Sequence, residues 1–403
     1  MQARTFVAGV AAGVVLAVAV SAVGQQQRPL PMAVEQLRKL ADALSFIKAN
    51  YAGEVDDAPL IDGCLAGLAR KLDGQSDYLD REEFRRLQVG HLQRGGVGFE
   101  ITRFADRVKV VAPIEGTPAD RAGVQPGDVI LKIDDTDVAG LALHEVIKLL
   151  LGAPGTQVKV SVVRAGAVAP TELLMTREVI RVQSVRSRLL GGGIGYLRIT
   201  QFQEPTLELV AKALEGLRAE NGGALAGLVL DLRNNPGGLL NSGVGVAALF
   251  LPDNALVVSM AGRSTESQRQ FTAQPRDYRA PVPDPRARLP RDLREVPLVV
   301  LVNGASAAAS EIVAGALQDH KRATVAGEKS FGRGSIQTIY PLPDNSAFKL
   351  TTAYWKTPNG RAIHGEGVTP DVALASGAKL EPLAAYGGPN DTGVQRAVEL
   401  LRR

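Results

Sequence analysis

Between residues 31 and 90 the apolar positions fall at helical spacing. Leu37, Leu40, Leu44 and Ile47 recur three or four apart with charges between them, which predicts an amphipathic helix. Residues 57–72 read as a second helix that stops at Asp73-Gly74, and residues 80–87 as a third with an acidic start. From Gly95 the pattern becomes short β-rich runs at 97–102, 108–114, 129–133 and 158–163, joined by turns at Gly116-Thr117, Gln125-Pro126-Gly127-Asp128 and Pro154-Gly155. Helical pieces interrupt them at 119–122 and 143–151. Farther on, strand and helix alternate: strands at 194–199, 228–232 and 298–302, helices at 205–219, 241–250 and 306–318. Such alternation predicts an α/β core. The proline- and arginine-rich stretch 263–295 reads as an exposed loop, and 392–402 as a final helix.

One segment breaks from this texture. After Arg4 and Thr5, residues 6–24 are small or aliphatic and carry no charge, with Ala22-Val23-Gly24 at the end. This predicts a secretory signal over residues 1–24, or an uncleaved membrane anchor of the same length, and therefore an exported protein of the periplasm or cell envelope. The composition behind it is ordinary for a soluble globular protein, 45% hydrophobic and 22% charged. A net charge of +4 with no concentrated basic face excludes a nucleic-acid partner. The single cysteine, Cys64, excludes an intrachain disulfide and reads as a packed thiol in an apolar helical stretch. No ligand spacing for a metal is present, and no cofactor is expected.

Four phrases in the β-rich part carry more information than periodicity: Gly96-Val97-Gly98-Phe99, Thr117-Pro118-Ala119, Ala122-Gly123 and Pro126-Gly127-Asp128-Val129-Ile130. Together they resemble a PDZ domain over residues 91–168. Successive N–H groups of Gly96–Phe99 can cradle a terminal carboxylate while a peptide adds as a strand, and Val97, Phe99 and Val146 are the candidates to line an apolar pocket.

The stretch 303–337 reads NGASAAASEIVAGALQDHKRATVAGEKSFGRGSIQ. It resembles the active-site segment of the carboxy-terminal processing peptidases, or tail-specific proteases, which are serine–lysine enzymes. The resemblance extends through Asp231-Leu232-Arg233-Asn234-Asn235-Pro236-Gly237-Gly238, through Trp355–Pro358, through Arg361-Ala362-Ile363-His364 and through Gly367-Val368-Thr369-Pro370-Asp371, covering residues from about 35 to 375. It implies an α/β protease body of the crotonase/ClpP-like kind over 178–375, an inserted PDZ domain, an N-terminal helical region over 31–90, and a C-terminal tail with a helix over 376–403. It also places the nucleophile at position 308, which is Ala308, and the general base 25 residues later, which is Arg333. Alanine has no oxygen to attack with, and an arginine keeps its proton and cannot act as a base. The family's lysine-orienting glutamine falls on Gln337, and its oxyanion-hole amides on Gly237 and Ala309, with Gly238 a near-equal choice for the first.

Other residues offer no evident rescue. Ser306 and Ser310 sit two residues either side of Ala308, so a helix turns each about 200° away from it. Lys329 reads as a loop lysine, and His144, His320 and His364 as ordinary surface or capping residues. The reading is an exported pseudopeptidase that binds C-terminal tails of envelope proteins, or an active homologous protease, without cutting them, with a homo-oligomer and membrane association at the N-terminus as further expectations. The alternative is an active serine endopeptidase that uses a displaced nucleophile.

Overall fold

The structure is a computed structural model that describes residues 34–89, 95–104, 107–167, 169–180, 183–279, 283–374 and 386–402. The expected signal or anchor, and residues 376–385 of the expected tail, lie outside these. No described helix is long and apolar enough to cross a membrane.

The N-terminal region holds α1 (Val34–Asn50), α2 (Asp57–Arg70), β1 (Asp77–Leu79) and α3 (Arg81–Val89). Helix α1 buries none of its residues. α2 starts where Asp56 accepts a hydrogen bond from Ala58 N at 3.1 Å, an ordinary N-cap.

Next comes the PDZ-like unit: β2 (Phe99–Phe104), β3 (Arg107–Pro113), α4 (Pro118–Arg121), β4 (Val129–Ile133), β5 (Thr136–Asp137), α5 (Leu143–Leu150), β6 (Gln157–Val163) and β7 (Thr171–Thr176). Its sheet runs β2-β3-β4-β6-β7, with β5 paired to β4. Alternate residues of β6 (Val158, Val160, Val162) point into a core shared with Ile130, Ile133 and Val146.

The body contains β8 (Val185–Leu190), β9 (Ile194–Ile199), α6 (Thr206–Glu220), β10 (Gly227–Asp231), α7 (Leu240–Phe250), β11 (Leu256–Gly262), β12 (Arg269–Thr272), α8 (Pro275–Tyr278), α9 (Pro285–Arg288), α10 (Arg291–Arg294), β13 (Leu298–Val302), α11 (Ala309–Asp319), β14 (Thr324–Gly327), β15 (Ser335–Pro341), β16 (Ala347–Lys356), β17 (Val372–Ala373) and α12 (Thr392–Leu401). Its central sheet has the order β17-β14-β13-β10-β9-β8, all parallel except the edge strand β8. Strands β9, β10 and β13 are buried along their whole length, as a parallel sheet covered on both faces requires. A second, antiparallel sheet β1-β16-β11-β12, with β15 against β16, draws β1 of the N-terminal region into the body.

Two expectations need correcting. The 263–295 stretch is no exposed loop: it forms β12 and three short helices, and it buries Phe271, Tyr278, Leu289 and Leu293. The cause lies in its arginines and a neighbouring one. Arg286 donates to the carbonyls of Ala248 and Leu251 (2.6 and 2.8 Å), and Arg322 to that of Phe250 (3.0 Å), so guanidinium groups satisfy the orphan carbonyls at the end of α7. The helix expected from residue 306 begins at Ala309, because Ser306 belongs to a turn in which its hydroxyl accepts from Asn303 N at 2.9 Å.

Candidate active site

Two loops at the C-terminal ends of neighbouring parallel strands build the site, where open α/β sheets present their functional groups. β10 runs into residues 232–238 and β13 into residues 303–308. They are stitched by hydrogen bonds from Asn234 N to Asn303 Oδ1 (2.9 Å), Asn303 Nδ2 to Asn234 Oδ1 (2.8 Å) and Ala307 N to Asn235 O (2.9 Å). Gly237 and Gly238 have φ of 104° and 133°. A Cβ on Gly238 would lie 2.1 Å from Phe202 O, and one on Gly237 2.7 Å from Ala308 Cβ and 3.0 Å from Ala309 N. Only glycine fits this close approach.

Ala308 has φ 50° and ψ −111°, backbone that a residue with a β-carbon rarely adopts. Such strain costs on the order of 1–3 kcal/mol and persists where surrounding structure enforces it. Here the enforcer is Glu311. Its buried carboxylate accepts from Ala308 N (2.8 Å) and Arg333 N (2.8 Å) on one oxygen, and from Ser330 Oγ (2.6 Å) and Gly332 N (2.6 Å) on the other. Burial raises its pKa above the ordinary value, and these four donors offset part of the rise. One carboxylate thus fixes positions 308 and 333 together. The N–H of Ala309, first in α11, and that of Gly238 meet no acceptor among the described residues, whereas Gly237 N donates to Asn235 Oδ1 at 2.9 Å.

The side chain of Arg333 reaches β2 of the PDZ-like unit. Nη1 pairs with the Glu100 carboxylate on β2, and Nη2 donates to Ile101 O at 3.4 Å. Its Nε is buried without a hydrogen-bond partner among the described residues. Burial raises the Glu100 pKa, and the Arg333 charge pulls the other way. Lys349 on β16 lies in a small cleft with Asp73, Ser76, Asp77 and Arg103. Burial lowers its pKa, Asp77 opposes that, and the nearby Arg333 charge adds to the lowering.

Gln337 lies on β15 and donates to Ser335 Oγ (3.0 Å) and Thr351 Oγ1 (3.3 Å), not to any group of Arg333. Ser306 and Ser310 are fully buried and commit their hydroxyls to the carbonyls of Leu232 (2.8 Å) and Asn235 (2.9 Å). Lys329 is exposed, 3.7 Å from Glu366. His320 Nε2 meets Leu256 O at 2.7 Å and His364 packs on the Tyr354 ring. His144 is no ordinary surface residue: from α5 it bridges Asp77 Oδ2 (Nδ1, 2.7 Å) and Glu83 Oε1 (Nε2), joining the PDZ-like unit to β1 and α3. Sequence reasoning missed Glu100, Glu311 and His144. Glu311 had a local signal, an acidic residue in a helix's first turn; the partners of the other two are distant in sequence.

Just before β2, Gly98 (φ 83°) has no room for a side chain, since a Cβ would lie 2.3 Å from Thr117. The carbonyls of Val97 and Gly98 are taken by Ala119 N and Ile114 N (both 2.8 Å), and Gly96 exchanges two backbone bonds with Glu178. The amides of Val97 and Gly98 donate to no group among the described residues. Val146 and Val97 are core side chains, with Phe99 packed partly exposed against them.

Comparison with known proteins agrees with this architecture. Residues 193–374 match the model of peptidase family S41, 109–164 a PDZ domain, and 8–83 the activating protease CtpB N-terminal domain. The carboxy-terminal-processing protease of Bartonella bacilliformis is 39% identical over 342 residues, covering 84% of this chain and 75% of that one. The carboxy-terminal processing protease CtpA of Bacillus subtilis is 32% identical, covering 90% and 76%. Among solved structures, the photosystem II D1 C-terminal processing protease superposes with a TM-score of 0.69 at 33% identity, covering 85% of this chain and 87% of that one. With its α/β body, its PDZ domain and its paired loops at the strand ends, the chain belongs to the carboxy-terminal processing proteases of peptidase family S41.

Proposed function

We propose that the protein is an exported pseudopeptidase that binds the C-terminal tails of envelope proteins, or a partner protease, without hydrolysing them. The observation that carries this is the strained elbow at position 308, kept in full geometry by Glu311 while holding a methyl group where a hydroxyl would attack. An alanine there supplies no nucleophile, and losing that group alone from a serine protease costs roughly 10⁶ in turnover. Arg333 stays protonated and its guanidinium is engaged by Glu100. Ser306 and Ser310 spend their hydroxyls on backbone carbonyls, so neither supplies a substitute. Binding rests on the Val97 and Gly98 amides, which remain available to a terminal carboxylate. Export rests on the apolar run at 6–24.

The test is hydrolysis of an unstructured, fluorescently tailed reporter protein by the full chain and by Ala308→Ser/Arg333→Lys. The expected result is no turnover by the wild type and regained turnover by the double variant. Turnover by the wild type at a rate comparable with the double variant would overturn the reading.

A further inference from the structure

The free edge of the PDZ sheet is plugged by the residue at the former base position. β2 is the terminal strand, with β3 on one side only. Across that pair Ile101 faces Val110. Val110 has spent both backbone groups away from β2, donating to Asp128 O (2.8 Å) and accepting from Gly127 N (2.9 Å). Opposed residues in an antiparallel pair either exchange both bonds or point both groups outward, so the Ile101 carbonyl faces the open edge. The group it meets there is the Arg333 guanidinium, which also holds Glu100. The next stretch of the edge lies against the N-terminal region: Gln75 Nε2 donates to Thr102 Oγ1 at 2.6 Å, and a Cβ on Gly74 would lie 3.0 Å from Arg103 O.

A peptide that enters by its terminal carboxylate at Val97 and Gly98 and adds as a strand needs this same edge within two or three residues of its end, at about 3.3 Å per residue. The body already occupies it. We propose that Arg333 serves as an internal competitor for the peptide edge of the PDZ domain, so that a tail completes its strand on β2 only by displacing the guanidinium from Glu100 and Ile101. This rests on the tail-binding reading above. It gives the arginine a role that the loss of catalysis leaves open: a fixed cation, with several donors in one plane, caps both a carboxylate and a carbonyl where a lone ammonium offers a single point of charge.

The probe is a fluorescein-labelled pool of random dodecapeptides ending in valine, prepared as free acid and as C-terminal amide, titrated into the full chain, Glu100→Gln and Arg333→Gln. The expected result is that each variant binds the free acid at least about ten-fold more tightly than the wild type, while the amide stays weak with all three. The two substitutions lie on opposite sides of the contact, so agreement between them excludes a folding artefact of either. Equal affinity of wild type and both variants for the free acid overturns the competition and leaves tail binding standing. Equal gains for acid and amide overturn it too, because the peptide would not then enter by its carboxylate. Absence of free-acid binding by all three overturns tail binding and the competition with it.

Discussion

At the scale of single residues, the family membership is legible in the segment 303–337 because its motif is local. The structure sets the amides of Ala308 and Arg333 on one oxygen of Glu311. What the motif does not carry is where the Arg333 side chain goes, because its partner Glu100 lies 233 residues away in sequence. Glu311 gives a sharp prediction. In Glu311→Gln an amide nitrogen replaces one acceptor, leaving two donors of the four facing another donor in a buried site. Leaving a buried donor unsatisfied costs about 1–3 kcal/mol. The variant is expected to unfold at clearly lower denaturant than the wild type, and the tryptophan fluorescence of Trp355 provides the measurement. An unchanged midpoint would show that the four contacts do not hold the elbow.

At the scale of elements, periodicity found the buried strands and the long helices because each shows its period within one segment. It failed at 263–295, where burial is imposed by α7 and by arginines that reach its carbonyls; it found α5 but not the role of its histidine, whose partners lie on β1 and α3. His144 predicts a pH dependence. Although burial lowers its pKa, hydrogen bonds and charges from Asp77 and Glu83 overcome this and raise it from 6.5 to about 9. The folded state therefore binds the proton more tightly than the unfolded chain, so the contribution is fully present below pH 6.5 and lost as pH rises through about 9. A rise of that size is on the order of 3 kcal/mol. Thermal unfolding should show the wild type losing more stability between pH 6 and pH 9.5 than His144→Gln does. Equal losses would exclude the bridge as the source.

At the scale of the whole molecule, charged side chains join the units to one another. Glu115 of the PDZ domain meets Arg186 and Arg198 of the body, the latter at 3.1 Å. Arg233 links Asp231, at the end of β10, to Asp391, which also caps α12 at Val394 N (3.1 Å) and accepts from Gly387 N (2.8 Å). Asp391→Ala removes the cap and half the partners of a largely buried guanidinium. It is expected to lower stability by about 2–4 kcal/mol in urea denaturation, with Asp391→Asn losing less. None of these links is visible in the sequence, since each joins segments that only the fold brings together. They also change what the Arg333 contact means. Because Glu115 and His144 hold the PDZ domain in place, Arg333 meets β2 as a tethered ligand, at an effective concentration in the millimolar range expected of short linkages. A tail diffusing freely at micromolar concentration is outnumbered about a thousand-fold. On the proposed tail-binding reading, a tail held nearby by its own attachment to the same surface or assembly would compete on equal terms, so the domain would select for how a C-terminus is delivered.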